Sequence, residues 1–167
     1  MRWHWIDRIV QLQKGEQCVA VKSVSLSEPH LHDHFPGMPI MPNTLIIEGM
    51  AQTAGILVGH ARDFAEKVIL AKIGRATFHE LATPGRTLIF TATLDRIDDA
   101  GASTAGYVEF IDPADWLNDG PAEPRPFAEI ELMFSHVDQN MRGLEFPEHN
   151  FVFEGPIMDL LRRDGVV

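Results

Sequence analysis

Cysteine is almost absent: Cys18 is the only one among 167 residues. A lone thiol excludes an intramolecular disulfide framework and any multi-cysteine zinc centre, and it fits a reducing compartment. Long apolar runs are missing too. No stretch approaches the ~18 consecutive apolar residues of a membrane span, and the start, Arg2-Trp3-His4-Trp5-Ile6-Asp7, lacks the unbroken apolar run of a secretory signal. A cytoplasmic protein is expected. Positive charge is also scarce, with 14 Lys and Arg against 24 Asp and Glu and a formal net charge of −10. That balance argues against non-specific nucleic-acid binding, whose affinity comes from cations neutralising phosphates. Apolar side chain is plentiful, at 45%, enough for one domain with a real core.

The few cations are unevenly spread. From His60 to Arg96, the six basic residues Arg62, Lys67, Lys72, Arg75, Arg86 and Arg96 outnumber four acidic ones. An acidic partner would have to dock there, although an ordinary solvated surface is the commoner meaning of such charges.

Patterning along the chain predicts one helix among several strands. The opening Trp3 to Leu12 has helix-like spacing at Trp5, Ile9 and Leu12, ended by Lys14-Gly15, and a strand is expected from Glu16 to Leu26. Residues 27–41 carry three prolines and three histidines without a period, which predicts a structured loop. Pro36, Pro39 and Pro42 recur every third residue and favour a stiff extended path, with Pro42 suited to a helix start. From Pro42 to about Arg62, apolar or small residues cover nearly the whole helical circumference, as in a helix wrapped by other structure. Gly49, Gly55 and Gly59 weaken that helix by up to ~1 kcal/mol each relative to Ala, so close packing is expected at them. Strands are expected at Lys67–Phe78, Thr87–Ile97, Thr104–Ile111 and Phe127–Val137, with a hairpin turn at Asp98-Asp99-Ala100-Gly101. Asp112 to Pro126 reads as an excursion between strands, and Pro156–Arg163 as a short terminal helix. The pieces suggest an α+β architecture, one helix embraced by a bent antiparallel sheet.

Two residues in this pattern carry chemistry. Glu48 lies inside the apolar helix, where burial would raise its pKa and hold a proton ready for a general acid. Gln52, one turn later on the same face, is placed to hydrogen-bond it. A Glu satisfied by buried partners at a subunit contact is the alternative meaning. The second is His34, whose imidazole can take a proton at cellular pH, and the prolines that follow it would hold it in place. His30 and His32 are expected to be structural or solvent-facing. The spacing of His30, His32 and His34 invites a metal, but no Cys pair or His-Glu helical motif completes a ligand set, so none is expected. Cys18, in a strand with no His nearby in sequence, and the absence of a serine nucleophile elbow speak against nucleophilic catalysis.

His34-Phe35-Pro36-Gly37-Met38-Pro39-Ile40-Met41-Pro42, continued by Leu45-Ile46-Ile47-Glu48-Gly49-Met50-Ala51-Gln52, closely resembles the signature of 3-hydroxyacyl-acyl-carrier-protein dehydratases of fatty-acid synthesis. Ile6-Asp7-Arg8-Ile9, the Pro84-Gly85 turn and Ala128 to Phe134 extend the resemblance over residues 1–138, the expected domain, with 139–167 as a C-terminal extension of unknown role. The resemblance implies a hot-dog fold and a homodimer, often assembled into a hexamer as a trimer of dimers. It places the active site at the dimer interface, His34 of one subunit as base facing Glu48 of the other as acid. It further implies the backbone N–H of Asn43, with Gly37, beside the substrate thioester oxygen, and Gln52 supporting Glu48. No cofactor is implied, because the substrate rides on the phosphopantetheine of acyl carrier protein, an acidic partner for which Arg62, Lys67, Lys72 and Arg75 are the docking candidates. The expected reaction is dehydration to trans-2-enoyl-acyl-carrier-protein. A related isomerising branch typically has aspartate where this chain has Glu48. The pattern departs from the family at Asp33 and Asn43, where glycines are usual, at Met38 for arginine, at Gly49 for alanine, and over Phe78 to Thr83. Competing readings are a hot-dog acyl thioesterase, whose carboxylate would activate water, and a module that only binds acyl thioesters.

Overall fold

The computed structural model describes residues 4–117, 123–137, 143 and 146–167. Its elements are β1 (Arg8–Gln13), β2 (Gln17–Ser23), α1 (His30–Asp33), α2 (Asn43–Ala61), β3 (Val68–Phe78), β4 (Thr87–Ile97), β5 (Gly101–Ile111), a 3₁₀ turn at Pro113–Leu117, β6 (Arg125–His136) and α3 (Pro156–Arg163). The six strands form one sheet in the order β1-β2-β4-β5-β6-β3, and every neighbouring pair is antiparallel. The 19-residue α2 lies against this sheet, as its apolar circumference predicts. Ile46, Met50, Ala54 and Leu57 of α2 are fully buried with Leu88, Phe90, Val108 and Ile130 of the strands. Burying each large side chain contributes roughly 1.5–3 kcal/mol, so this layer dominates the stability of the fold.

The opening segment is a correction. Residues Arg8–Gln13 form a strand, not the end of a helix, and Trp3 lies outside the described residues. The reason is a bulge: the register with β2 shifts between Ile9 and Gln11. One inserted residue turns the period-two alternation into a spacing of three, so Ile9 and Leu12 both face inward and mimic a helical stripe. The expected loop at 27–41 also holds more structure than its prolines suggest, with one helical turn at α1. A second turn follows at Phe35-Pro36-Gly37-Met38, where the Phe35 N–H donates to Met38 O (3.1 Å) and the Met38 N–H to Phe35 O (3.0 Å). Pro36 there makes a bend, and the polyproline angles fall on Pro42 (φ −57°, ψ 135°), which precedes rather than opens the helix.

The β4–β5 hairpin turns at Asp98–Gly101 as expected, but β5 begins at Gly101 rather than Thr104. A Cβ on Gly101 would lie 2.0 Å from the Phe134 carbonyl, so only glycine lets β5 approach β6 here. The expected excursion at 112–126 contains the 3₁₀ turn, and residues 118–122 of it lie outside the described residues.

The two outer strands have unlike surroundings. The terminal α3 packs against β1: Leu160 and Leu161 join the core, the Ile9 N–H donates to Asp164 Oδ2 (2.8 Å), and Arg163 donates to Asp7 O (2.6 Å). At the opposite edge, β3 is bonded on one side only and exposes Ile69 and Ile73. Among the described residues, no helix is long and apolar enough to cross a membrane.

Candidate active site

His34 follows α1 directly and is locked from two directions. The Ile40 N–H donates to the His34 carbonyl (2.9 Å), and the Ile40 carbonyl contacts His34 Nδ1 at 2.8 Å. A carbonyl can only accept, so Nδ1 carries a proton, and in the neutral ring Nε2 is the nitrogen with the lone pair. The ring, half-buried, stacks on Phe35 with centroids 4.2 Å apart. The reversal that brings Ile40 back to His34 is the Pro36-Gly37 bend, with Pro and a positive-φ residue (Gly37, φ +78°) at its two centres, as a type II turn requires. Gly37 is therefore a backbone device for orienting His34. Asp33, which replaces a usual glycine, points into solvent, and no hydrogen bond joins it to His34 among the described residues.

Glu48 is half-buried on α2 rather than buried as the helix pattern suggested. Its partner is Gln52, whose Nε2 donates to Glu48 Oε1 at 2.9 Å. The Gln52 amide is itself fixed, because its Oε1 accepts the Trp5 backbone N–H at 2.9 Å. Since a backbone N–H can only donate, the amide nitrogen has to face Glu48. Gly49 explains its own departure from the family pattern: a Cβ there would lie 2.8 Å from the Phe90 ring and 3.0 Å from Trp5 O. The close approach of Trp5 to α2 is thus what holds Gln52, and through it Glu48.

Glu48 and Gln52 line a cavity of about 540 Å³ together with Ala51, Gly55 and Ile56. Its other walls are Val68, Leu70 and Phe134 of the sheet and the segment Phe151 to Ile157. His34 does not line it. Within one chain, His34 and Glu48 therefore lie on separate surfaces. Asn43 is the first residue of α2 and borders a different depression, with His79, Leu81 and Arg86. As an opening helix residue, its N–H has no acceptor within the helix.

The four docking candidates do not make one free positive face. Lys67 is buried, which removes it from any contact with a partner. Arg62 pairs with Asp99 (3.3 Å), and Arg75 pairs with Glu131 (2.8 Å) and Glu129 (3.7 Å), while Lys72 is exposed. His32 contacts Leu26 O at 2.9 Å, and His30 packs edge-on against Trp5, where burial pulls its pKa down. Among the described residues, no three His, Cys, Asp or Glu side chains cluster as metal ligands would. Burial pushes the Cys18 thiol up to about 12, so it carries no thiolate at neutral pH.

The model of the FabA-like domain matches residues 2–111. The chain belongs to the FabA-like family. Among curated FabA-like relatives, 3-hydroxyacyl-[acyl-carrier-protein] dehydratase FabZ of Caldanaerobacter subterraneus is 40% identical over 93 residues, covering 55% of this chain and 66% of its own. FabZ of Wolbachia pipientis is 41% identical over 93 residues, covering 55% and 65%. The chain thus spans just under two thirds of the length of these relatives. Solved structures show the hot-dog fold: an acyl-CoA hydrolase mutant from Staphylococcus aureus (TM-score 0.57, 15% identity, 75% of this chain and 68% of that one) and the dehydratase heterocomplex ApeI:P from Xenorhabdus doucetiae (TM-score 0.55, 13% identity, 76% and 96%). The FabA-like match ends before β6, so the cavity wall at Phe151 to Ile157 lies beyond it.

Sequence reasoning missed three contributors. The Ile40 carbonyl is a backbone group and leaves no mark in the side-chain pattern. Trp5 acts through its amide, masked by a misread period. Phe151 to Ile157 have no strong period of their own, and only the run of three apolar residues around Val152 sets them apart, with Phe151 exposed and Val152 and Phe153 half-buried.

Proposed function

We propose that this protein dehydrates 3-hydroxyacyl-acyl-carrier-protein to the trans-2-enoyl thioester in fatty-acid or related lipid synthesis, as a hydro-lyase without a cofactor. The observation that carries this reading is the His34–Ile40 clamp, which presents a lone pair rather than a proton to a substrate. His34 Nε2 takes the proton from C2, and the C2–H electrons become the C2–C3 double bond. The C3–O bond breaks, and Glu48 protonates the departing hydroxyl to give water. Negative charge gathers on the thioester oxygen, which the Asn43 N–H at the positive end of α2 can hold. Gln52 keeps the Glu48 carboxyl in one rotamer, since its own amide is pinned to Trp5.

The base and the acid come from two protomers in this reading. Its support is that His34 and Glu48 do not share a cavity within one chain, and that β3 offers an exposed, half-paired edge through which two sheets can join. The decisive experiment follows the ultraviolet absorbance of crotonyl thioester with purified protein. Hydration bleaches the conjugated chromophore and gives 3-hydroxybutyryl thioester; release of free acid would instead make the protein a thioesterase, and no change at all would make it a binding module.

The carrier protein is the proposed partner, with Arg62 and Lys72 as its cationic contacts. Arg62 keeps its charge available despite Asp99, because an exposed pair is worth only about 0.2–1 kcal/mol. Arg62→Glu is expected to raise KM for a carrier-bound substrate, by up to about fivefold on that same scale. KM for a small pantetheine thioester stays put. Equal shifts for both substrates would remove Arg62 from the docking surface.

A further inference from the structure

We propose that the segment Phe151 to Ile157 is the end wall of the acyl pocket and sets the length of chain the site accepts. The proposal rests on the dehydratase reading for the identity of the occupant, an acyl thioester whose reacting carbons lie at Glu48. Four observations carry it.

The cavity begins at Glu48 and runs along one face of α2, past Ala51, Gln52, Gly55 and Ile56, and the segment lies across from that face. One turn further on, the Phe153 ring rests on Gly59. A Cβ at Gly59 would stand 2.3 Å from that ring, so the helix is cut away where the tail crosses it. From Glu48 to Gly59 is about 16 Å at 1.5 Å per helical residue. A straight path of that length matches an extended acyl chain of about twelve carbons, with the Phe153 ring standing at its far end.

The wall is built rather than draped. Asn150 uses its whole amide to fix it: Nδ2 donates to Phe64 O (2.8 Å) and Glu66 O (2.9 Å), while Oδ1 accepts from the N–H groups of Val152 (3.2 Å) and Phe153 (3.4 Å). The Phe153 ring also meets Phe64 edge-to-face, with centroids 5.0 Å apart. Phe64 itself has φ +57°, an uncommon conformation for a bulky residue, and it ends α2 by donating its N–H to Gly59 O (2.7 Å). The helix terminus, the ring and the tail therefore hold one another. Gly55, by contrast, meets only Phe134 at 3.6 Å, so its missing side chain is not a packing demand. It keeps the middle of the cavity open.

The test is a series of trans-2-enoyl thioesters from crotonyl to hexadecenoyl, with the wild type and two variants. Phe153→Leu trims the wall with little loss of packing, and Val152→Phe thickens it. The ratio of kcat/KM for dodecenoyl over crotonyl thioester is expected to rise about tenfold in the first and to fall about tenfold in the second, the range that a few methylene contacts in an apolar pocket supply. In parallel, calorimetry with saturated acyl-pantetheine thioesters, which cannot react, reads the same length preference as affinity. Opposite shifts in the two variants, in either readout, support the wall. If folded variants keep the wild-type profile in both readouts, the proposal falls and the dehydratase reading stands. If the wild type hydrates nothing while the affinity profile still shifts, the wall stands and the dehydratase reading falls.

Discussion

Glu48→Gln is expected to lower crotonyl thioester hydration by about 10²–10⁴-fold, the usual contribution of a general acid, while leaving the fold and the oligomeric state unchanged. The substitution is nearly isosteric, and the Gln52 Nε2 that now donates to Glu48 Oε1 can donate to the new amide oxygen instead. The Trp5–Gln52 bond is untouched. What disappears is the proton that the leaving hydroxyl needs. Loss should fall on kcat more than on KM, because the proton moves only in the transition state. The checks are steady-state kinetics beside circular dichroism and gel filtration. Turnover close to the wild type would remove Glu48 from the chemistry.

Mixing two dead variants is expected to restore activity. A His34→Ala chain keeps Glu48, and a Glu48→Gln chain keeps His34; if each site draws one group from each protomer, a mixed dimer contains one site with both native groups. After unfolding and refolding an equimolar mixture, about a quarter of the wild-type activity should return, because half of the dimers in a two-fold assembly are mixed and half of their sites are intact. If both groups came from one chain, every site in the mixed dimer would carry a defect and nothing would return. The same assay on each variant refolded alone supplies the baseline.

Much of the fold and site is legible in the sequence, for identifiable reasons. The central helix shows because apolar residues cover its circumference, and the hairpin at Asp98 shows because turn chemistry is local: Asp98 Oδ1 accepts the N–H groups of both Ala100 and Gly101. Helical spacing alone places Gln52 beside Glu48. Harder to see are effects that depend on a partner distant in the chain. The bulge in β1 exists only against β2, and it disguises a strand as a helix. The half-exposure of Glu48 depends on which side of α2 the sheet covers, and an apolar circumference does not say. Gly59 looks like Gly55 in the sequence, yet one is shaped by Phe153 and the other by a cavity. The charge pattern misleads most at Lys67, since counting cations says nothing of which are buried.

The two edges of the sheet are treated differently, and this decides what kind of assembly the chain can make. An open strand is a template for another chain, and a sheet with two open edges can add copies without end. Here α3 packs against β1 and takes the Ile9 N–H on Asp164, so part of that edge is occupied from within. In the proposed dimer, β3 is the edge offered to a second copy. Joining like edge to like edge would consume both, and such an assembly would close at a pair instead of growing into a fibre. On this view the terminal helix works as a stopper against polymerisation, and loss of the Asp164 contact would show first as soluble aggregates at high concentration.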